Sequence, residues 1–190
     1  MIKIGILGAI GSGKSYVAKN FGYPVFNADQ EVSKLYQKDK KIFYKLKKSL
    51  PKYISYFPVD KNEVSKAILA KKNNLSKIIQ IVHLEIRKKM HLFLKRNKNK
   101  KIVILDIPLL LENKINSKKD ILIYVDSKKS EILKRLRKRK NFNPILLKHF
   151  MSIQLPISYK KKKCQFIIKN DFTKKSVISA IKNILKEIKK

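Results

Sequence analysis

Eight residues near the N-terminus, Gly8-Ala9-Ile10-Gly11-Ser12-Gly13-Lys14-Ser15, match the spacing G-x-x-x-x-G-K-[ST] in full. Each residue type has a chemical reason to be there. Glycines let the backbone curl until successive N–H groups point at phosphate oxygens, so Gly8, Gly11, Ser12 and Gly13 are candidates to cradle a nucleotide. The helix opening beside Lys14 turns the positive end of its dipole toward the same anion. The Lys14 ammonium can reach the β- and γ-phosphates and offset charge as the terminal bond breaks, which is a catalytic role. The Ser15 hydroxyl is a compact oxygen ligand for Mg²⁺. Tyr16 adds a backbone N–H in the first helical turn. The chemistry these residues suit is phosphoryl transfer from ATP and Mg²⁺ to a small-molecule acceptor.

Transfer to a hydroxyl calls for a carboxylate near the acceptor and usually another near the metal. Asp29 stands just past a short strand, at the carboxyl edge of the expected sheet, and two roles are open to it: general base, or N-cap of the segment Gln30–Tyr36. Asp106 lies near the end of a strongly apolar strand, where a charge is costly unless partnered. It reads either as a metal contact or as a structural carboxylate holding Ser15 or Lys14. Glu112 either faces the acceptor or starts a surface helix. Arg135, Arg137 and Arg139 fall on a basic helix, with Arg135 and Arg139 on one face by their spacing. They either clamp phosphates from a flap whose flexible part is Asn141–Pro144, or coat a solvated helix. His83 contacts substrate or simply sits in its helix, and no His or Cys spacing suggests zinc.

The elements that must position these groups alternate. Strands are expected at Ile2–Leu7, Pro24–Phe26, Ile102–Ile107, Ile121–Val125 and Gln165–Ile168. Helices are expected from Ser15 to about Asn20, around Val32–Tyr36, after the capping-box-like pair Asp60 and Glu63, and from Leu75 to Phe93 beyond a break at Asn73-Asn74. Others follow at Ser130–Lys140, at Ile145–Ile153, and around the apolar stripe Val177–Ile188. Pro51 and Pro58 punctuate a loop-rich passage, and Lys160–Lys163 reads as a solvated turn. Strands separated by helices make an α/β fold: a doubly wound parallel sheet of about five strands.

The 190 residues are 44% hydrophobic, enough for one packed core. No apolar stretch reaches the length of a membrane span, and the start has no signal-peptide pattern. One cysteine, Cys164, allows no intrachain disulfide, which fits a cytoplasmic setting. The formal net charge of +34 comes from 47 Lys and Arg against 13 Asp and Glu. Its positive side chains are nearly all lysines, spread over every surface segment, which reads as compositional bias rather than as a nucleic-acid site.

With these residues in view, the chain resembles the dephospho-coenzyme A kinases along nearly its whole length. The resemblance rests on Ile4-Gly5-Ile6-Leu7 leading into the phosphate loop, on Asn27-Ala28-Asp29 where that family usually has Asp-Ala-Asp, and on His83. It rests most on Ile107-Pro108-Leu109-Leu110-Leu111-Glu112, and also on Gln154-Leu155-Pro156 and Phe166-Ile167-Ile168-Lys169-Asn170. It implies transfer of the γ-phosphoryl of ATP to the ribose 3′-hydroxyl of dephospho-coenzyme A. Asp29 is then the base. Asp29, His83, Pro108, Leu109 and Glu112 touch the acceptor, and Arg135, Arg139 and Asn170 join the nucleotide site. The family layout implies a core (1–29, 102–128, 151–190), a helical acceptor-binding insertion (about 30–101) and a lid (about 129–150). Asn27, Leu84 and Cys164-Gln165 depart from the family pattern. Two other functions stay open: another small-metabolite or nucleoside monophosphate kinase, and an NTP-dependent nucleic-acid-binding protein.

Overall fold

The computed structural model describes residues 1–140 and 142–189. They form two compact units: residues 1–27, 97–142 and 154–190 make one, and residues 28–96 and 143–153 the other.

The first unit is built on a parallel sheet. Its strands are β1 (Ile2–Gly8), β2 (Val25–Asn27), β3 (Ile102–Asp106), β4 (Ile121–Asp126) and β5 (Phe166–Lys169), in the order β2-β3-β1-β4-β5. All pairings are parallel. β3 is buried at every position, as expected of a central strand covered on both faces. On one face, alternate residues Ile4, Ile6, Ile102, Ile104, Ile123 and Val125 pack with Val17 of α1 (Lys14–Asn20), with Phe21 at its C-cap, and with Val177, Ile181 and Ile184 of α9 (Lys174–Ile188). That alternation is the period of two that a pleated strand imposes. On the other face Gly5 leaves a hole. A Cβ there would come within 2.5 Å of the Leu110 side chain, so the glycine seats Leu110, which is fully buried.

The second unit is helical: α2 (Ala28–Lys38), α3 (Lys40–Ser49), α4 (Lys61–Ala70), α5 (Lys72–Arg96) and α7 (Pro144–Ser152). α2, α3 and α4 pack on α5, and α7 on α4. The apolar stripe of α5 runs through Leu75, Ile78, Val82, Ile86 and Met90. α3 was not expected. Its lysines hide a strong amphipathic pattern that buries Ile42, Phe43 and Leu46. The break before α5 falls at Lys71, not at Asn73-Asn74. Asn74 is buried inside α5 and donates to the carbonyl of Ala67 at 2.8 Å, tying α4 to α5. Asp60 does cap α4, but Glu63 accepts from the Ser55 N–H instead of closing a capping box.

Back in the first unit, α6 (Lys129–Arg137) and α8 (Ile157–Lys163) complete the helices among the described residues. The expected solvated turn at Lys160–Lys163 is the end of α8, and Lys160 is buried. Among the described residues no helix is long and apolar enough to cross a membrane.

Candidate active site

The phosphate loop grows out of β1 and runs straight into α1, the strand–turn–helix setting the motif requires. Gly13 caps α1 at φ 91°, a left-handed conformation that glycine adopts without steric cost. Space forbids a side chain there as well, because a Cβ on Gly13 would lie 2.5 Å from the Asn170 amide nitrogen. Lys14 Nζ lies over the loop itself, donating to the carbonyls of Ala9 at 2.9 Å and Gly8 at 3.2 Å. Ser15 follows it in the first turn of α1, and the Tyr16 ring is exposed.

A second set of residues holds this loop from behind. Asn170 is buried and donates to the carbonyl of Ser12 at 2.8 Å, while its own oxygen accepts from the Phe172 N–H. Ser127 Oγ donates to the same Ser12 carbonyl at 3.0 Å. Asn170, expected as a nucleotide contact, therefore has its side chain engaged by backbone at the loop and at the start of the α9 approach. Ser127 was not singled out from the sequence. A lone serine after a strand carries no periodic signal, and only the sheet register brings it to the loop.

Asp106 closes β3 at the same carboxyl edge and is 3% exposed. Its Oδ2 accepts a hydrogen bond from the side-chain amide of Asn27, the last residue of β2. β2 passes into α2 with no intervening loop, so Asp29 is the second residue of α2 rather than its cap. The N-cap role for Asp29 is thereby corrected. An acidic group in a first turn still favours the helix through the dipole. The donors Ser15 and Asp106 are hard oxygens, the kind Mg²⁺ takes when it keeps several waters and binds substrate phosphates. No cluster of three or more His, Cys, Asp or Glu side chains able to hold a metal occurs among the described residues, and Mg²⁺ at a nucleotide does not require one.

The segment after β3 is fixed at two points. Leu110 fills the space over Gly5, with Pro108 and Leu109 half-buried beside it. Glu112 does not start a surface helix. Its Oε1 takes the Lys160 ammonium at 2.7 Å and the Leu155 N–H at 3.0 Å, and Lys160 also donates to Gln154. Both charged side chains are less than a tenth exposed. The sequence gives no sign of this pair, because Lys160 opens a run of four lysines that looks uniformly solvated.

The remaining candidates scatter. Arg135 lies on α6 with its guanidinium 4.3 Å from the centre of the Phe172 ring. Arg139 lies past the end of α6, so the shared helical face expected for the two arginines does not exist. Both are exposed. Asn141, part of the expected flexible segment, lies outside the described residues. Residues 129–150 do not form one body: α6 belongs to the sheet unit and α7 to the helical unit. His83 lies on α5 with Nε2 buried and without a hydrogen-bond partner among the described residues. Burial, and then the neighbouring Arg87, push its pKa below the usual value, so the ring is neutral at pH 7.

The chain matches known proteins over nearly its whole length. A family model described as dephospho-CoA kinase matches residues 2–176. A dephospho-CoA kinase from Wolbachia sp. subsp. Brugia malayi is 34% identical over 187 residues, covering 96% of this chain and 95% of that protein. A crystal structure from Thermus thermophilus superposes with a TM-score of 0.79 at 26% identity, covering 98% of this chain and 97% of the other. A dephospho-CoA kinase structure from Campylobacter jejuni has a TM-score of 0.63 at 21% identity, with 98% and 96% covered, and shares the fold.

Proposed function

The chain belongs to the dephospho-CoA kinase family, and on that premise we propose how its own residues carry γ-phosphoryl transfer from ATP to the ribose 3′-hydroxyl of dephospho-CoA. Membership sets aside the two other functions the sequence left open, because the family model and relatives about a third identical along nearly the whole chain are dephospho-CoA kinases.

The backbone of Gly8–Ser15 binds the phosphates of ATP, helped by the N-terminus of α1. Lys14 leaves the loop carbonyls and neutralises charge that builds on the γ-phosphoryl oxygens in the transition state. Ser15 and Asp106 are the residues that would hold Mg²⁺, which when bound screens the phosphate charge. Asp29 accepts the proton of the acceptor hydroxyl as the hydroxyl oxygen bonds to the γ-phosphorus, and the bond from that phosphorus to the β–γ bridging oxygen breaks to release ADP. Pro108, Leu109, Glu112 and His83 contact the acceptor, and Arg135 on α6 and Arg139 just past its end contact phosphates. The helices within residues 28–96 form the acceptor-binding insertion. We infer a cytoplasmic setting, which the single cysteine supports.

The observation supporting the assignment of Asp29 is its position along the chain. It follows Asn27 by two residues, and Asn27 is the register partner of Asp106 at the carboxyl edge of the sheet, where ligands of open α/β sheets bind. The test is Asp29→Asn, which keeps size but removes the basic carboxylate. Turnover with saturating substrates should fall by roughly 10²–10⁴-fold, the usual worth of a positioned base. ATP binding should persist, and the melting temperature should change little, because the lost charge–dipole term is only about 0.5 kcal/mol. Wild-type turnover in this variant would remove Asp29 as the base and move the search to Asp106 or Glu112.

A further inference from the structure

Asn27 and Asp106 are register partners at the ends of neighbouring parallel strands, β2 and β3. Such partners project to the same face of a sheet. Here the Asn27 Nδ2 donates to Oδ2 of Asp106 at 2.5 Å. With 3% of Asp106 exposed, its charge needs either a donor or a cation. The amide supplies a donor and adds no charge. A carboxylate at position 27 would instead set two like charges at hydrogen-bond distance in a largely buried place, a repulsion that a cation between them, or a proton shared by them, relieves.

We propose that Asn27 is the positioning residue of the cation site: its amide fixes the Asp106 carboxylate through one oxygen and holds this sheet edge to a single buried carboxylate. The proposal rests on the reading of Asp106 as the Mg²⁺ contact. Cation affinity at oxygen sites follows the number of charged ligands and the rigidity of the set. The two simplest replacements therefore act in opposite directions. Asn27→Asp adds charge, so it strengthens the hold on Mg²⁺ and weakens the fold in its absence. Asn27→Ala removes the donor, frees the carboxylate to move, and weakens the hold on Mg²⁺.

The experiment is thermal melting of the full chain with ADP, titrated with Mg²⁺ or with EDTA present, for the wild type, both Asn27 variants and Asp106→Asn. Expected for Asn27→Asp is a lower melting temperature in EDTA and a half-saturating Mg²⁺ concentration lowered on the order of tenfold. For Asn27→Ala that concentration should rise several-fold. A merely structural asparagine would lower the melting temperature in both variants and leave the Mg²⁺ dependence where it was, and that result overturns the proposal. If Asn27→Ala does not fold, the sign of the Mg²⁺ shift in Asn27→Asp decides alone. Unchanged Asn27 variants beside a shifted Asp106→Asn sink the Asn27 proposal only. An Asp106→Asn variant with wild-type Mg²⁺ dependence sinks the reading of Asp106 and this proposal together.

Discussion

Lys14 rests on the carbonyls of Gly8 and Ala9, so it is held by the loop it serves rather than by the core. Lys14→Ala should therefore leave a folded protein with almost no phosphoryl transfer. Circular dichroism and an ADP-release assay on one sample would check both halves, and near-normal turnover would take the loop lysine out of the mechanism. Cys164 makes the opposite case, a reactive residue type in an inert setting. Burial pushes its thiol up to about 12, outweighing the nearby Lys160, which pulls it down. The thiol thus stays protonated at pH 8, and the folded chain should react with iodoacetamide far more slowly than the urea-unfolded chain. Equal rates in the two states would show that the thiol is open to solvent. Residue types with a motif around them were legible in the sequence; side chains whose role depends on a partner far along the chain were not. Lys14 and Ser15 could be read from eight letters. Asn27 and Asp106 are 79 positions apart and meet only through register.

At the scale of elements, the phosphate loop depends on the turn between β5 and α9. Asn170 supports the Ser12 carbonyl across the gap that Gly13 leaves open. Asn170→Ala should cost about 1 kcal/mol, the net worth of one such bond. It should raise the KM for ATP while leaving the KM for the acceptor alone, and the reverse split in steady-state kinetics would contradict this role. α8 bears a heavier load. Lys160→Met would strand the buried Glu112 charge and should cost about 3–5 kcal/mol in urea unfolding. The double change Lys160→Met with Glu112→Gln should recover much of that loss, because no unpaired charge remains. A single variant as stable as the wild type would mean the pair is not buried in solution. Strands were easy to foresee because apolar β-branched runs such as Ile102–Asp106 have few alternatives. α3 was missed because lysine, a good helix former, fills most of the positions that do not face the core. The buried lysine of α8 was missed because composition cannot tell one member of a lysine run from the next.

For the molecule as a whole, the +34 charge is best read beside the family it belongs to. The field of so many lysines attracts polyanions, and both ATP and dephospho-CoA are polyanions. It need not mark a nucleic-acid site. Any binding of duplex DNA should weaken steeply between low and physiological salt, as counterion release demands. Sequence-selective binding that persists at physiological salt would overturn this view. The central claim concerns the acceptor, and a coupled ADP-release assay on the purified chain tests it most directly. ATP and Mg²⁺ would be present throughout, with dephospho-CoA, shikimate or a nucleoside monophosphate added in turn and the product examined by phosphorus NMR. The account predicts ADP release that depends on dephospho-CoA, with a new phosphomonoester on the ribose 3′-oxygen. Release that is indifferent to dephospho-CoA, or faster with either of the other acceptors, would contradict it.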